Sequence, residues 1–186
     1  MAKLLTISLA AVMVLVPLSM WADDEAGPYP YVTASEGGRY YFRMQPDPNR
    51  PFDRDVGSGV AYEVVAGKMD KLLWTTKGWY SFSVHLSHDG HYLVRLGNWP
   101  RGHKPSEADL AVAFYKSGTL LKSYNTKGLI RDPSKVEPSV SHYQFLRERP
   151  GFVEPYGYTF GLVTVDGVGY TFDVRTGKIL QSKKVD

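Results

Sequence analysis

Between Trp79 and Trp99 the chain alternates with a period of two. Phe82, Val84 and Leu86 are apolar while Ser81, Ser83 and His85 are polar, and after His88-Asp89-Gly90 an apolar set resumes at Tyr92, Val94 and Leu96. Such alternation marks a strand with one face turned to a core, so the stretch predicts a β-hairpin. A three-residue turn with Gly90 in the left-handed conformation keeps both apolar sets on one face, pairing Leu86 with Tyr92, Val84 with Val94 and Phe82 with Leu96. A two-residue Asp-Gly turn sets His85 opposite Val94 and mixes the faces, so the longer turn is preferred.

The hairpin is repeated along the chain. The segment from Ser35 to Met44 (SEGGRYYFRM) lies 52 positions before the segment from Ser87 to Leu96 (SHDGHYLVRL), with Ser, Gly, Tyr and Arg in common and no gap. Val60-Ala61-Tyr62 and Val112-Ala113-Phe114 continue the same offset of 52, and each is followed by a glycine (Gly67, Gly118) and a Leu-Leu pair. A third, fainter copy aligns Phe172, Gly177 and Lys178 with Tyr62, Gly67 and Lys68, with its opening strand expected over 158–165. An offset shared by separated segments is the signature of a structural repeat. Each unit is expected to hold about four short strands, as at 39–44, 60–65, 71–75 and 79–86. No long amphipathic helix is apparent; 106–109 has the composition of a capped single turn, and 139–147 fits strand or helix. The connections 45–59, 98–109 and 125–139 are rich in Pro, Gly and charge and belong at the surface.

The segments from His88 to Leu93 and from Phe172 to Leu180 (FDVRTGKIL), an Asp-Gly turn before an apolar strand and a Thr-Gly-Lys-Ile-Leu ending, resemble blades of β-propeller proteins. The resemblance covers most of 34–182 and implies an all-β fold of two to three blade-like antiparallel β-meander repeats. Propellers close with four to eight blades. The resemblance therefore leaves an open arc, half of a propeller completed by a second copy as a homodimer, or a β-sandwich of duplicated meanders. It carries over no enzyme's residues.

The first 22 residues follow another pattern. Lys3 precedes an almost wholly apolar run over 4–16, Pro17 breaks it, and Ala22 stands before Asp23-Asp24-Glu25. This is the pattern of a secretory signal peptide, followed by a Pro-rich tether over 23–33 and a single repeat domain over 34–186. The expected compartment is secreted or periplasmic, with no membrane span after cleavage. The absence of cysteine leaves stability to the core. A formal net charge of +3, with dispersed Lys and Arg, points to no nucleic-acid partner. The 13 Tyr, 8 Phe and 4 Trp suit sheet faces.

Candidate chemistry is sparse. His85, His88 and His91 are spaced three apart, and imidazole is a common zinc or copper ligand; in the register above His85 and His91 share a side while His88 sits on the turn, which makes them weak metal candidates. Asp47, Asn49, Asp53 and Asp55 cluster oxygens as calcium prefers, but Arg50, Arg54 and three prolines favour a solvated loop. No nucleophile elbow, zinc-protease motif or phosphate-cradling loop is present, and nothing in the sequence pairs Glu63, Asp70, Asp109, Glu137 or Glu154. No cofactor or catalytic residue is expected. The loop 98–105 is the most suggestive for binding: Trp99 supplies flat apolar area, Arg101, His103 and Lys104 supply donors, and Pro100 and Pro105 restrict motion. The sequence thus favours a non-catalytic module binding an unidentified ligand or protein partner. A hydrolase or lyase with carboxylates between repeats, or a histidine-based metal binder, are the alternatives.

Overall fold

The computed structural model describes residues 26–53, 55–137 and 139–185, so the leader expected over 1–22 and the acidic start of the tether lie outside the described residues. Twelve strands form three four-stranded antiparallel sheets, each a meander of sequential strands. Sheet I holds β1 (Tyr31–Ala34), β2 (Tyr40–Pro46), β3 (Gly57–Glu63) and β4 (Lys71–Lys77). Sheet II holds β5 (Val84–Leu86), β6 (Tyr92–Leu96), β7 (Leu110–Lys116) and β8 (Thr119–Asn125). Sheet III holds β9 (Gly151–Phe152), β10 (Thr159–Val163), β11 (Val168–Asp173) and β12 (Lys178–Lys184). The expected all-β class of blade-like repeats is what the chain adopts.

The boundaries between units differ from expectation. The segment 79–86 does not close the first sheet: its last three residues, β5, open the second. Tyr31 to Thr33, expected in the tether, belong to β1. Sheet III has its own short first strand, β9, and β10 is its second. The only α-helical turn among the described residues is Thr126–Leu129, capped by the Asn125 side chain accepting from the Gly128 amide at 2.7 Å. At 106–109 the chain merely bends, with Ser106 Oγ accepting from the Ala108 amide.

The hairpin register also differs by one residue. Leu86 pairs with Leu93, His85 with Val94 and Val84 with Arg95. The loop has four residues, closed by the Ser87 amide donating to Tyr92 O at 2.9 Å, with Gly90 left-handed at φ 73°. The physical reason lies in the packing of sheet II. One face (Val84, Leu86, Leu93, Ala113, Tyr115) joins the core shared with sheet I, where Phe42, Met44, Trp74 and Tyr80 are buried. The other (Val94, Leu96, Val112, Phe114) joins the core shared with Phe160, Leu162, Tyr170 and Phe172 of sheet III. A strand buried on both faces has no polar face to protect, so the rule that rejected His85 opposite Val94 does not apply.

Hydrogen bonds show the repeat directly. In sheet I the Ser35 amide donates to Tyr40 O at 2.8 Å and Ser35 Oγ accepts from the Tyr40 amide at 3.2 Å. In sheet II the same two bonds join Ser87 and Tyr92, both at 2.9 Å. The offset of 52 holds here but slips afterwards. The Val64 amide donates to Arg39 O while the Ser117 amide donates to His91 O, so the third strands are offset by 53. Ala61 therefore corresponds to Phe114, and Tyr62 to Tyr115. Each sheet carries a β-bulge between its third and fourth strands, after Ala61, Phe114 and Thr171, which extends the correspondence to sheet III.

Turns between third and fourth strands fasten one sheet to the one before. Gly118 (φ 82°) leaves no room for a side chain, since a Cβ would lie 2.3 Å from Thr75 O of β4; Gly67, in the matching turn of sheet I, has nothing within 4 Å. Both glycines carry positive φ, which costs an L-residue about 1–2 kcal/mol. Gly67→Ala is expected to cost that amount, and Gly118→Ala distinctly more because the backbone of β4 must also yield. Urea denaturation midpoints of the two variants check the difference.

Candidate functional site

Two regions gather the residues that sequence reasoning singled out, at opposite ends of the strands. At one end lie the short turns joining the first and second strands of each sheet. In sheet II, Ser87 Oγ donates to Asp89 Oδ1, the His91 amide donates to the same oxygen at 3.0 Å, and the Tyr158 hydroxyl of sheet III donates to Asp89 Oδ2 at 2.8 Å. Burial alone would raise the Asp89 carboxyl, but these three donors outweigh it and hold the group below its ordinary range. The His88 ring packs against Tyr156 and Tyr158 at 5.9 and 5.0 Å. Sheet III's own turn is Glu154-Pro155-Tyr156-Gly157, closed by the Gly157 amide donating to Glu154 O. It replaces the Ser-x-Asp-Gly motif, whose absence made the third copy faint.

Beside this cluster a cleft of about 370 Å³ runs between the first strands of the three sheets. It is lined by Thr33 and Ala34 of β1, by β5, by Phe152 of β9 and by Val153 and Pro155 after it. His85 is half-buried in its wall, with its ring edge-on to Phe160 at 5.0 Å and a buried Nε2 without a hydrogen-bond partner. Burial depresses its pKa below the ordinary value. His91 is exposed on the loop. The three histidines thus face different surroundings, and no group of three or more His, Cys, Asp or Glu able to hold a metal ion occurs among the described residues. Of these weak metal candidates, His85 lies on β5 while His88 and His91 lie on the four-residue loop, off the strand faces.

At the other end lie the long connections. The loop after β6 begins with Gly97, whose amide donates to Ala111 O, and Asn98, whose Oδ1 accepts from the Phe82 amide and whose Nδ2 donates to Tyr80 O. Trp99 follows, half-buried, its ring 4.2 Å from that of His142. The pairing is built by the chain around 139–147, which is extended rather than helical. Arg101 bridges His142 in antiparallel fashion, the Gly102 amide donates to Ser141 O, and the Tyr143 amide donates to Pro100 O. Tyr143 anchors this segment: its hydroxyl donates to Asp109 Oδ2 at 2.8 Å and lies 2.6 Å from Thr126 Oγ1. Burial, reinforced by the Asp109 carboxylate, pushes the phenol up to about 12.

The result is a cleft of about 400 Å³ walled by Gly97, Trp99, Pro100, His142, Tyr143 and Phe145, among others. Arg101, His103 and Lys104 are exposed beside it, and His103 Nε2 lies 3.4 Å from Val140 O. Of the four predicted binding residues, Trp99 lines this cleft, Arg101 lines a smaller neighbouring one together with Trp99, and His103 and Lys104 are exposed farther along the same loop. Sequence reasoning missed His142 and Tyr143, which lie about 40 residues from Trp99 along the chain. The available signal was the alternation of buried Tyr143 and Phe145 around exposed Gln144.

Several acidic side chains are held in hydrogen bonds or ion pairs. Glu63 pairs with Arg39 at 2.8 Å, Asp70 accepts from the Tyr41 hydroxyl, and Asp109 from Tyr143. Asp47 and Asp53 accept from the Asn49 and Asp55 amides and flank Arg50. Asp166, the buried acid among the described residues, accepts from the Arg131 and Asp132 amides and from Thr164 Oγ1. No helix among the described residues is long and apolar enough to cross a membrane. Comparison with protein-family models and with curated proteins finds no match to the chain.

A depressed histidine pKa makes the unfolded chain the better proton binder. The stability contributed by neutral His85 is complete above the ordinary value of about 6.5 and is lost as pH falls through the folded value. The urea midpoint is expected to drop as pH is lowered from about 7 to 5, above the range where carboxylates titrate, and His85→Gln is expected to flatten that drop. An identical pH dependence in wild type and variant would contradict the assignment.

Proposed function

We propose that the chain is a three-bladed arc of a β-propeller that works as a secreted or periplasmic binding module. Recognition takes place at the long-loop end, in the cleft walled by Trp99 and His142. The observation that carries this reading is the combination of two rings 4.2 Å apart at a 400 Å³ cleft with exposed Arg101, His103 and Lys104 on the loop that follows Trp99. Aromatic rings give contact area at little entropic cost, and cations at a rim select for and steer anionic groups. The ligand class is therefore one that presents a flat apolar face next to an acidic group, such as a uronic-acid sugar or an acidic peptide with an apolar neighbour. The loop is held for this task by backbone bonds to 139–147 and by the Tyr143 anchor, so little ordering accompanies binding. The compartment follows from the leader pattern over 1–22.

The test is an immobilised panel of uronic-acid oligosaccharides and acidic peptides probed with wild type, Trp99→Ala and the Arg101→Ala/Lys104→Ala pair. Trp99→Ala is expected to weaken any hit about tenfold or more, the cost of truncating a binding hot spot. The charge pair is expected to weaken it and to remove most of its salt dependence. Hits that survive both sets unchanged place recognition elsewhere.

A further inference from the structure

The three sheets are stacked in order, so each has a backward face, turned toward the first end of the stack, and a forward face, turned toward the last. The backward face of sheet II presents Leu93 paired with Tyr115, and that of sheet III presents Phe160 paired with Phe172; all four are buried against the preceding sheet. The bulge and pairing registers place Tyr41 and Tyr62 at the same two positions of sheet I. Sheet I has no predecessor among the described residues, yet it keeps the aromatic pair there, stacked at 5.1 Å and half-buried. Val32, on the same face, is 59% exposed, and Val64 and Met69, in the turn that includes Gly67, are 48% and 89% exposed. In sheets II and III the matching turns are pressed onto the previous sheet, Gly118 against Thr75 and Gly177 against Lys122 and Phe114.

The forward face of sheet III is the opposite in relief. Where sheets I and II project Phe42 and Val94, it has Gly161; where sheet II projects Phe114, it has Thr171. Gly151, Gly161, Gly169 and Thr171 line a groove of about 370 Å³. One end of the stack is thus a pair of projecting rings, and the other a hollow face.

We propose that a second copy of this chain supplies the missing neighbour. Sheet I of each copy packs on sheet III of the other, continuing the stack already established by the two interfaces within the chain and closing a six-bladed ring. Six is the multiple of three that falls within the usual four to eight blades. A four-stranded face of about six residues per strand covers roughly 400 Å² at the usual strand spacing and rise. Two such contacts bury about 1,600 Å² in total, the size of a standard stable interface. The repeat also fixes the contact. Phe172 packs on Phe114 at 5.0 Å, and the same relation, moved one sheet on, sets Tyr62 of one copy against Thr171 of the other. Closure completes the cleft between the first strands, which in one chain has only three of its six walls.

The test is the solution mass of the purified protein by light scattering and sedimentation equilibrium, with circular dichroism to confirm folding. Wild type is expected at twice the mass of its own denatured chain. Tyr62→Glu and Thr171→Arg, both on sheet faces outside the two cores, are each expected to raise the dimer dissociation constant about 100-fold, since each alters both contacts. Mixing the two variants is expected to restore dimer, because one contact is then native and the other sets Glu against Arg. A monomeric wild type overturns the proposal. So does a dimer lost in Tyr62→Glu but kept in Thr171→Arg, which is the signature of sheet I packing on itself.

Discussion

Sheet II is held between two others, and the rest of the molecule depends on that double burial. Its third strand contributes Ala113 and Tyr115 to one core and Val112 and Phe114 to the other, all of them nearly or fully buried. No disulfide supports the arrangement, as the chain has no cysteine. Cohesion comes from apolar area, at about 25 cal/mol per Å² removed from water, and from a few polar ties between sheets. Trp74 Nε1 donates to Gly90 O at 2.8 Å across the first interface, and the Tyr124 hydroxyl donates to Gly177 O at 2.9 Å across the second. Both bonds satisfy a turn carbonyl that the neighbouring sheet would otherwise cover, an omission that costs about 1–3 kcal/mol when buried.

The same stacking accounts for both clefts. Because the sheets fan out from their first strands, those strands line a common groove while the long connections collect at one end. The turn cluster closes the other end, where Asp89 ties sheet II to Tyr158 of sheet III. The segment 126–147 crosses between sheets II and III, burying Leu129, Ile130, Val136, Tyr143 and Phe145 in their shared core. Its path brings His142 to Trp99. The Trp99 cleft is therefore a by-product of how the last sheet is connected, and it rests directly on the core beneath it.

Much of the fold was legible in the chain. Alternation located the hairpin, the offset of 52 between Ser35 and Ser87 exposed the repeat, and the loop 98–105 lies where a cleft forms. Alternation predicts one buried face, whereas sheet II buries two, so the hairpin register differs by one residue from the one the alternation favours. The repeat was extended to the third strands at 52 instead of 53, because a one-residue insertion leaves no trace in residues as alike as Val60-Ala61 and Val112-Ala113. His85, His88 and His91, weak metal candidates by their spacing, lie on a strand and a four-residue loop, where a spacing of three does not by itself bring rings together.

Local patterns suffice for local structure: turn glycines, β-branched and aromatic strands and their repetition follow from steric and burial preferences that act over a few residues. What tertiary structure alone decided was how sheets stack, which of two apolar faces meets which neighbour, and which distant residue completes the Trp99 cleft. Those outcomes depend on contacts between segments far apart in the chain, and apolar attraction has no directional code that the sequence displays. The partner of Trp99 is His142 because Tyr143 is buried beside it, a relation that exists only once the sheets have packed.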